Sequence, residues 1–310
     1  MDSVLSRVRA REVSSARFLR IAVFAVLSLF VVVTTGAVVR LTASGLGCDN
    51  WPRCGSTPFP EKGGHAFIEF GNRVIAFGSI VMTLLTWLAA RRVRELPVWV
   101  RRLALWVWLG TVAQIPLGGI TVIFDLHPLL VMTHFLLALV VLAGAVVVAL
   151  EAWIANAGKA SPLGARWWRR LALAGVPMCL TLVVTGAVVS ASGPHSGGKD
   201  IRRLGVSIVD AVYVHVRVVA AFGIGFLLVA SWLWRHRREV PGVAALAGVL
   251  LSLLIAQMVL GEVQYRTHLP WWLVLVHVVL AAAIWSATVA LVYAIWRPPA
   301  PLVSERFASQ

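Results

Sequence analysis

Three histidines and one asparagine stand at related places in this chain. Gln114 opens the run Gln-Ile-Pro-Leu-Gly118, and His134 follows twenty residues after it; Gln257 opens Gln-Met-Val-Leu-Gly261, and His277 follows twenty residues after that. The copies are offset by 143 residues, and the same offset carries Asn72 onto His215 and Glu69 onto Val212. Self-similarity at this length marks a duplicated unit. One unit offers Asn72 and His134, the other His215 and His277. Neutral imidazole is the usual axial ligand of haem iron, and two of them make a low-spin b-type centre. His215 and His277 are therefore candidate iron ligands of a haem b. The other set suits a site that performs chemistry: His134 as one firm ligand, Asn72 as an amide that binds iron poorly, and Glu69 as the nearby carboxylate. Iron held by His134 would be open to oxygen, and Glu69 would deliver a proton or stabilise a developing cation. The competing reading of Glu69 is an interfacial carboxylate paired with a nearby arginine.

Other polar residues fall around these. Gln114 either lines the pocket beside His134 or joins helices by hydrogen bonding. Arg40, Arg73 and Arg217 lie at or just below one membrane level. Their guanidinium groups suit the two propionates of a haem, with snorkelling to lipid phosphate as the alternative. Cys48 and Cys54 share one loop. A disulfide is the preferred reading, because no third or fourth metal ligand is close in sequence, and a transient thiol role stays open. Cys179 reads as a packing residue. His65, His127, His195 and His268 fall near or in loops, and His236 in a basic run.

These residues must be positioned by membrane helices. The chain has 310 residues, 59% hydrophobic and only 13% charged, against about a quarter charged in soluble domains. Eight apolar runs reach the roughly 20 residues a span requires: 21–41, 67–90, 103–124, 129–152, 171–191, 209–234, 243–262 and 271–296. The net charge of +15 does not form a nucleic-acid patch, because Lys and Arg punctuate the apolar runs. Sorted by loop, 19 basic residues fall on one side and seven on the other. The positive-inside rule makes the first side cytoplasmic, with both termini there. The first run is too long for a signal peptide and lacks a small-residue cleavage site, so it is expected to stay. The expected fold is an all-α integral membrane protein of two pseudo-symmetric four-helix bundles. Residues 1–20 form a basic tail, 21–152 a half with the Cys pair and the chemical site, and 153–170 a linker. Residues 171–296 form the half with the haem b site, and 297–310 a cytoplasmic tail. Asn72, His134, His215 and His277 then share one depth near the outer face, Pro116 is expected to kink its helix, and Asp210 to cap the sixth helix.

At this point the residues resemble a known family. Gly36-Ala-Val-Val-Arg40-Leu-Thr-Ala-Ser-Gly-Leu-Gly-Cys48, Trp51-Pro-x-Cys54, Ile-Glu69-Phe-Gly-Asn72-Arg73, and the doubled Gln-x-x-x-Gly with its histidine are similar to haem A synthase over roughly 20–296. The resemblance implies eight transmembrane helices in a bacterial-type cell membrane, a haem b in the C-terminal half and haem O as substrate in the N-terminal half. It implies oxidation of a ring methyl of haem O to formyl by successive hydroxylations and loss of water. It places the family's cysteine pair on Cys48 and Cys54, its glutamate on Glu69 and its later histidines on His134, His215 and His277. A haem O synthase, oxidase assembly factors and an external electron donor are implied partners, and a homo-oligomer is compatible. Asn72 departs from the family, which usually carries histidine there, so a bis-His substrate haem is not carried over; His65, seven residues earlier, is a possible substitute. The alternative function is a dihaem b-type electron-transfer protein, which needs two bis-His sites. A transporter is a weaker reading, since the repeats are parallel and their polar positions lie away from the midplane.

Overall fold

The computed structural model describes residues 12–48, 51–55, 59–60, 63–195 and 201–308. Arg7, Arg9, Arg11, Lys62 and Lys199, part of the charge count above, lie outside the described residues. Eight helices are long and apolar enough to cross a membrane: α1 (Ser15–Leu41), α2 (Gly64–Ala90), α3 (Val98–Ile123), α4 (Pro128–Ala157), α5 (Arg166–Ser192), α6 (Ile208–Arg235), α7 (Pro241–Arg266) and α8 (Trp271–Trp296). A 3-10 turn (Ala300–Leu302) and the short helix α9 (Glu305–Ala308) follow. No named β-strand occurs among the described residues.

The helix surfaces are ordered for lipid. Phe24, Phe77, Trp106 and Ile224 point outward, whereas Ser79, Thr83, Thr86 and Thr111 are buried. Buried hydroxyls in an apolar medium need partners. Thr83, Thr86 and Thr111 donate to carbonyls four residues back, and Ser79 Oγ also reaches Ser28 O, tying α2 to α1.

In each set of four, neighbours in sequence are neighbours in space. α1 packs on α2 and α4, α2 on α3, and α3 on α4; α5 packs on α6 and α8, α6 on α7, and α7 on α8. Each set is a ring with α2 facing α4, or α6 facing α8, across its diagonal. α8 packs on α4 and α1 to join the rings, and Trp285 Nε1 on α8 donates to Leu139 O on α4 at 2.7 Å. The turns before α4 and α8 agree in detail. Asp125-Leu126 and His268-Leu269 all have positive φ. The Leu126 amide donates to Thr121 O and the Leu269 amide to Gln264 O, positions again 143 apart.

The helices overrun the apolar windows. α1 begins at Ser15, its Ser14 Oγ accepting from the Arg17 amide, so Arg17 and Arg20 are helical. The linker between α4 and α5 shrinks to 158–165, and Arg166, Arg169 and Arg170 open α5. Hydropathy locates the lipid-solvated part of a helix, whereas hydrogen bonding continues past it. Asp210 does not cap α6: Ser207 holds the N-cap position and Asp210 lies in the first turn, where a carboxylate still favours the helix dipole. α3 continues through Pro116 and α5 through Pro177. The segment after α8 is tied down as well. The Ala160 amide donates to Pro298 O, the Ala300 amide to Gly158 O, and the Ser304 amide to Glu239 O.

Further polar links cross between the rings. At the basic end, Glu151 on α4, 1% exposed, accepts from Tyr293 Oη on α8 at 2.6 Å and from Arg297 at 2.7 and 3.1 Å. At the other end, Arg40 on α1 donates to Ser190 O and His195 O, and His195 Nε2 pairs with Leu269 O at 2.6 Å.

Candidate active site

Asn72, His134, His215 and His277 lie eight, six, seven and six residues into α2, α4, α6 and α8. At 1.5 Å per residue this is a common depth of ~9–12 Å, at the end holding Cys48 and Cys54. The ring order places each pair on facing helices.

In the second ring, His215 and His277 stand at one depth on the facing helices α6 and α8. Each imidazole rests on a glycine. A Cβ on Gly186 would meet His215 Cε1 at 3.1 Å, and one on Gly261 would meet His277 Cε1 at 3.3 Å. His215 Nδ1 lies 3.0 Å from Thr185 Oγ1. His277 Nδ1 is buried without a partner, but Gln257 Nε2 donates to the His277 carbonyl at 3.0 Å and fixes α7 to α8 there. The donor set could hold a haem iron: two imidazoles on facing helices, each backed by a glycine. Among the described residues, no group of three or more His, Cys, Asp or Glu is arranged to cage a metal ion.

The first ring repeats this plan with changes. Gly118 backs His134 as Gly261 backs His277, with the same 3.3 Å approach to Cε1, and His134 Nδ1 is likewise buried without a partner. Where His215 meets Thr185, Asn72 meets Thr35: Thr35 Oγ1 donates to Asn72 Oδ1 at 2.7 Å. Gly36, the counterpart of Gly186, has nothing within 4 Å of an added Cβ, because the shorter asparagine leaves that space open. Gln114, the counterpart of Gln257, has both amide atoms buried and unpartnered.

Glu69 is 5% exposed and fully engaged. Its Oε1 accepts from Arg73 Nη2 at 2.5 Å and its Oε2 from the Cys48 amide at 2.9 Å. The arginine pairing weighed from sequence is therefore formed. Arg73 also donates to Pro52 O and Arg53 O at 3.0 Å. Cys48 and Cys54 form a disulfide. The loop they close lies against α3, where a Cβ on Gly119 would meet the Trp51 indole at 2.6 Å. Gly118 thus serves His134, and the next residue serves the disulfide loop. The repeat has Glu262 at the second of these positions, paired with Arg266.

The remaining candidates separate from these residues. Arg40 is committed to the carbonyls of Ser190 and His195, and Arg217 turns to the exposed surface, stacking over the Tyr213 ring and donating to the Tyr213 carbonyl. His65 Nδ1 pairs with buried Ser44 Oγ at 2.8 Å. Cys179 is buried and unbonded to sulfur. A cavity of about 440 Å³ lies toward the basic end, lined by Leu103, Gly144, Leu173, Val289, Tyr293 and Trp296. It contains none of the histidines and reads as a lipid-facing groove between the rings.

A family model described as "COX15-CtaA: Cytochrome oxidase assembly protein" matches residues 19–63 and 56–289, nearly the whole helical part. The chain belongs to this family. It is 28% identical over 284 residues to a protein named "Heme A synthase" from Symbiobacterium thermophilum, covering 86% of this chain and 91% of that one. It is 26% identical over 312 residues to one of the same name from Shewanella oneidensis, covering 86% and 92%. It is also 30% identical over 283 residues to a Thermus thermophilus protein named "Protoheme IX farnesyltransferase", covering 83% of this chain. The chain spans 45% of the length of that last relative.

Sequence reasoning missed the contacts of Thr35, Thr185, Trp51 and Gly119. The echo Thr35-Gly-Ala-Val-Val and Thr185-Gly-Ala-Val-Val was the available signal: superposing it on the histidine repeat brings both threonines to the second helix of their rings.

Proposed function

We propose that this protein is a haem A synthase, built as two similar four-helix halves with different tasks. The observation that carries the proposal is the difference between matched positions. In the second half His215 and His277 stand at one depth on facing helices, whereas in the first His134 stands across from the helix that carries Asn72 and the buried carboxylate of Glu69. A site that only relays electrons has no use for that difference; a site that oxidises its occupant does. The family and the names of the full-length relatives support the same reading.

The substrate is haem O, with His134 as its iron ligand. In the first step the ring methyl, dioxygen, two electrons and two protons give hydroxymethyl and water. A second such step gives the gem-diol, which loses water to leave the formyl group. An external donor supplies the electrons. His215 and His277 would hold a haem b, which passes electrons one at a time when bound. Glu69 and Arg73 hold a charged, water-poor wall beside the first site, with Glu69 the group for proton transfer. The disulfide loop, pinned by Glu69, Arg73 and Gly119, covers that end of the ring and limits water entry. Gln114 is the free amide available to a polar substituent of the substrate, and the guanidinium of Arg73 is the nearest candidate for a propionate.

The basic-residue bias supports cytoplasmic termini and a site near the opposite face of the cell membrane. The Thermus relative's name supports a working link to the transferase that farnesylates protohaem, whose product would be this enzyme's substrate. Co-expression with a haem O synthase in a host lacking haem A tests the reaction. Haem A in the extracted haems is the expected result, and haem O alone would refute it.

A further inference from the structure

The hydroxyl repeated at Thr35 and Thr185 meets the matched positions Asn72 and His215. We infer that these threonines are positioning residues of opposite hydrogen-bond sense: Thr185 accepts from His215 and frees its Nε2 for iron, whereas Thr35 donates to Asn72 and turns its amide nitrogen toward the open face of the first site. The inference rests on the proposed reading of the two halves and assigns Asn72 a task within it.

A hydroxyl has one proton to give. Thr185 Oγ1 lies 2.9 Å from Leu182 O in its own helix and 3.0 Å from His215 Nδ1. Donating along the helix leaves its lone pairs for an N–H at Nδ1. The imidazole is then the tautomer with a bare Nε2, the form that ligates metal, and its second nitrogen is anchored as metal-binding histidines require. In the first ring the balance reverses. Thr35 Oγ1 is 3.2 Å from Val32 O but 2.7 Å from Asn72 Oδ1. The carboxamide oxygen has no proton, so the hydroxyl must donate there.

That bond fixes the amide. With Oδ1 held by α1, Nδ2 points the other way, as His215 Nε2 does in the copy. Among the described residues, no protein acceptor is bonded to it. An amide nitrogen donates and offers iron no lone pair. Asn72 is therefore not a weak replacement for the family's histidine. It is a donor aimed at a small oxygen-bearing ligand entering opposite His134, and such donors decide whether a haem pocket binds or activates oxygen.

The test uses the purified full chain reconstituted with haem O in the absence of dioxygen, so that no oxidation follows, with carbon monoxide as probe of the reduced protein. The expected result is a carbon monoxide complex at the haem O site whose C–O stretch is lowered by a hydrogen bond. Thr35→Val and Asn72→Leu should both raise and broaden that stretch, Thr35→Ser should restore it, and Asn72→His should abolish carbon monoxide binding by filling the sixth position. In the other half, Thr185→Val should shift the haem b midpoint potential positive. An unchanged stretch in both Thr35→Val and Asn72→Leu would overturn the inference, as would a wild-type haem O that refuses carbon monoxide. Failure of the wild type to take up haem O under these anaerobic conditions would overturn the proposed function itself, a separate readout.

Discussion

The carboxylate of Glu69 holds the backbone of Cys48: Oε2 accepts from the Cys48 amide at 2.9 Å while Oε1 is paired with Arg73. The residue offered for proton transfer is thus also the peg on which the disulfide loop hangs. Glu69→Ala leaves the Arg73 cation without its counter-charge and the Cys48 amide without its acceptor, a loss of about 3–5 kcal/mol for a buried pair. Glu69→Gln keeps an acceptor for Cys48 but cannot exchange a proton. Haem A formation is expected to fall about 100-fold or more in both variants, the scale of a lost general acid or base. The Gln variant should retain the disulfide and its haem b. An active Gln variant would leave Glu69 only its structural task.

His215→Ala and His277→Ala are each expected to remove the low-spin b-type spectrum of the purified protein. Neither should prevent haem O from binding in the first half, since no matched residue is shared. Extracted haem content and optical spectra of the two variants check this, and a haem b signal surviving both would place that haem elsewhere.

The glycines behind the imidazoles give a matched pair of tests. Gly261→Val crowds His277 from a Cβ already 3.3 Å away, and Gly118→Val does the same to His134. Pushing an iron-binding imidazole out of place in this way is expected to cost roughly 10–100-fold in affinity for the bound group. Gly261→Val should weaken haem b retention and Gly118→Val haem O retention, each sparing the other, as read by haem titration.

Glu151, Tyr293 and Arg297 join the rings at the basic end, far from the histidines. Arg297 lies just past α8, and its pKa is raised above the ordinary guanidinium value, first by the hydrogen bond to Glu151. A raised pKa adds stability that is present below the ordinary value and lost only as pH rises past it, so the link is constant through neutral pH. Glu151→Ala is expected to cost about 3 kcal/mol, the lower end because the Arg297 side chain is 34% exposed. Thermal unfolding in detergent should show the loss, with Arg297→Ala not additive to it and the haem spectra of the folded protein unchanged.

Much of this architecture was legible in the sequence. The spans follow from apolar length, and the shared depth of Asn72, His134, His215 and His277 follows from the repeat and the polar breaks before α4 and α8. The disulfide matched the better of two readings. What hydropathy could not carry was hydrogen bonding beyond the apolar windows, which lengthened α1 and α5 and bound the segment after α8. Arginine roles were the least legible. Arg40, Arg73 and Arg217 look alike by depth, yet one meets carbonyls of the other ring, one meets Glu69 and one lies over Tyr213. A guanidinium on a long stem takes the partner that tertiary packing brings, and only the fold supplies that. The contrast of Asn72 with His215 was visible, but the threonines that give it meaning sit on neighbouring helices at an offset of 150 residues instead of 143.

The central claim is a division of labour, with chemistry at His134 and electron relay at His215 and His277. Wild type and His134→Ala, each co-expressed with a haem O synthase in a host lacking haem A, test it most directly through chromatography of the haems bound to purified protein. The account predicts haem A together with haem b in the wild type, and haem b alone, with its low-spin spectrum intact, in His134→Ala. Haem A still formed by His134→Ala, or a wild type holding only haem b while haem O accumulates in the membrane, would contradict it.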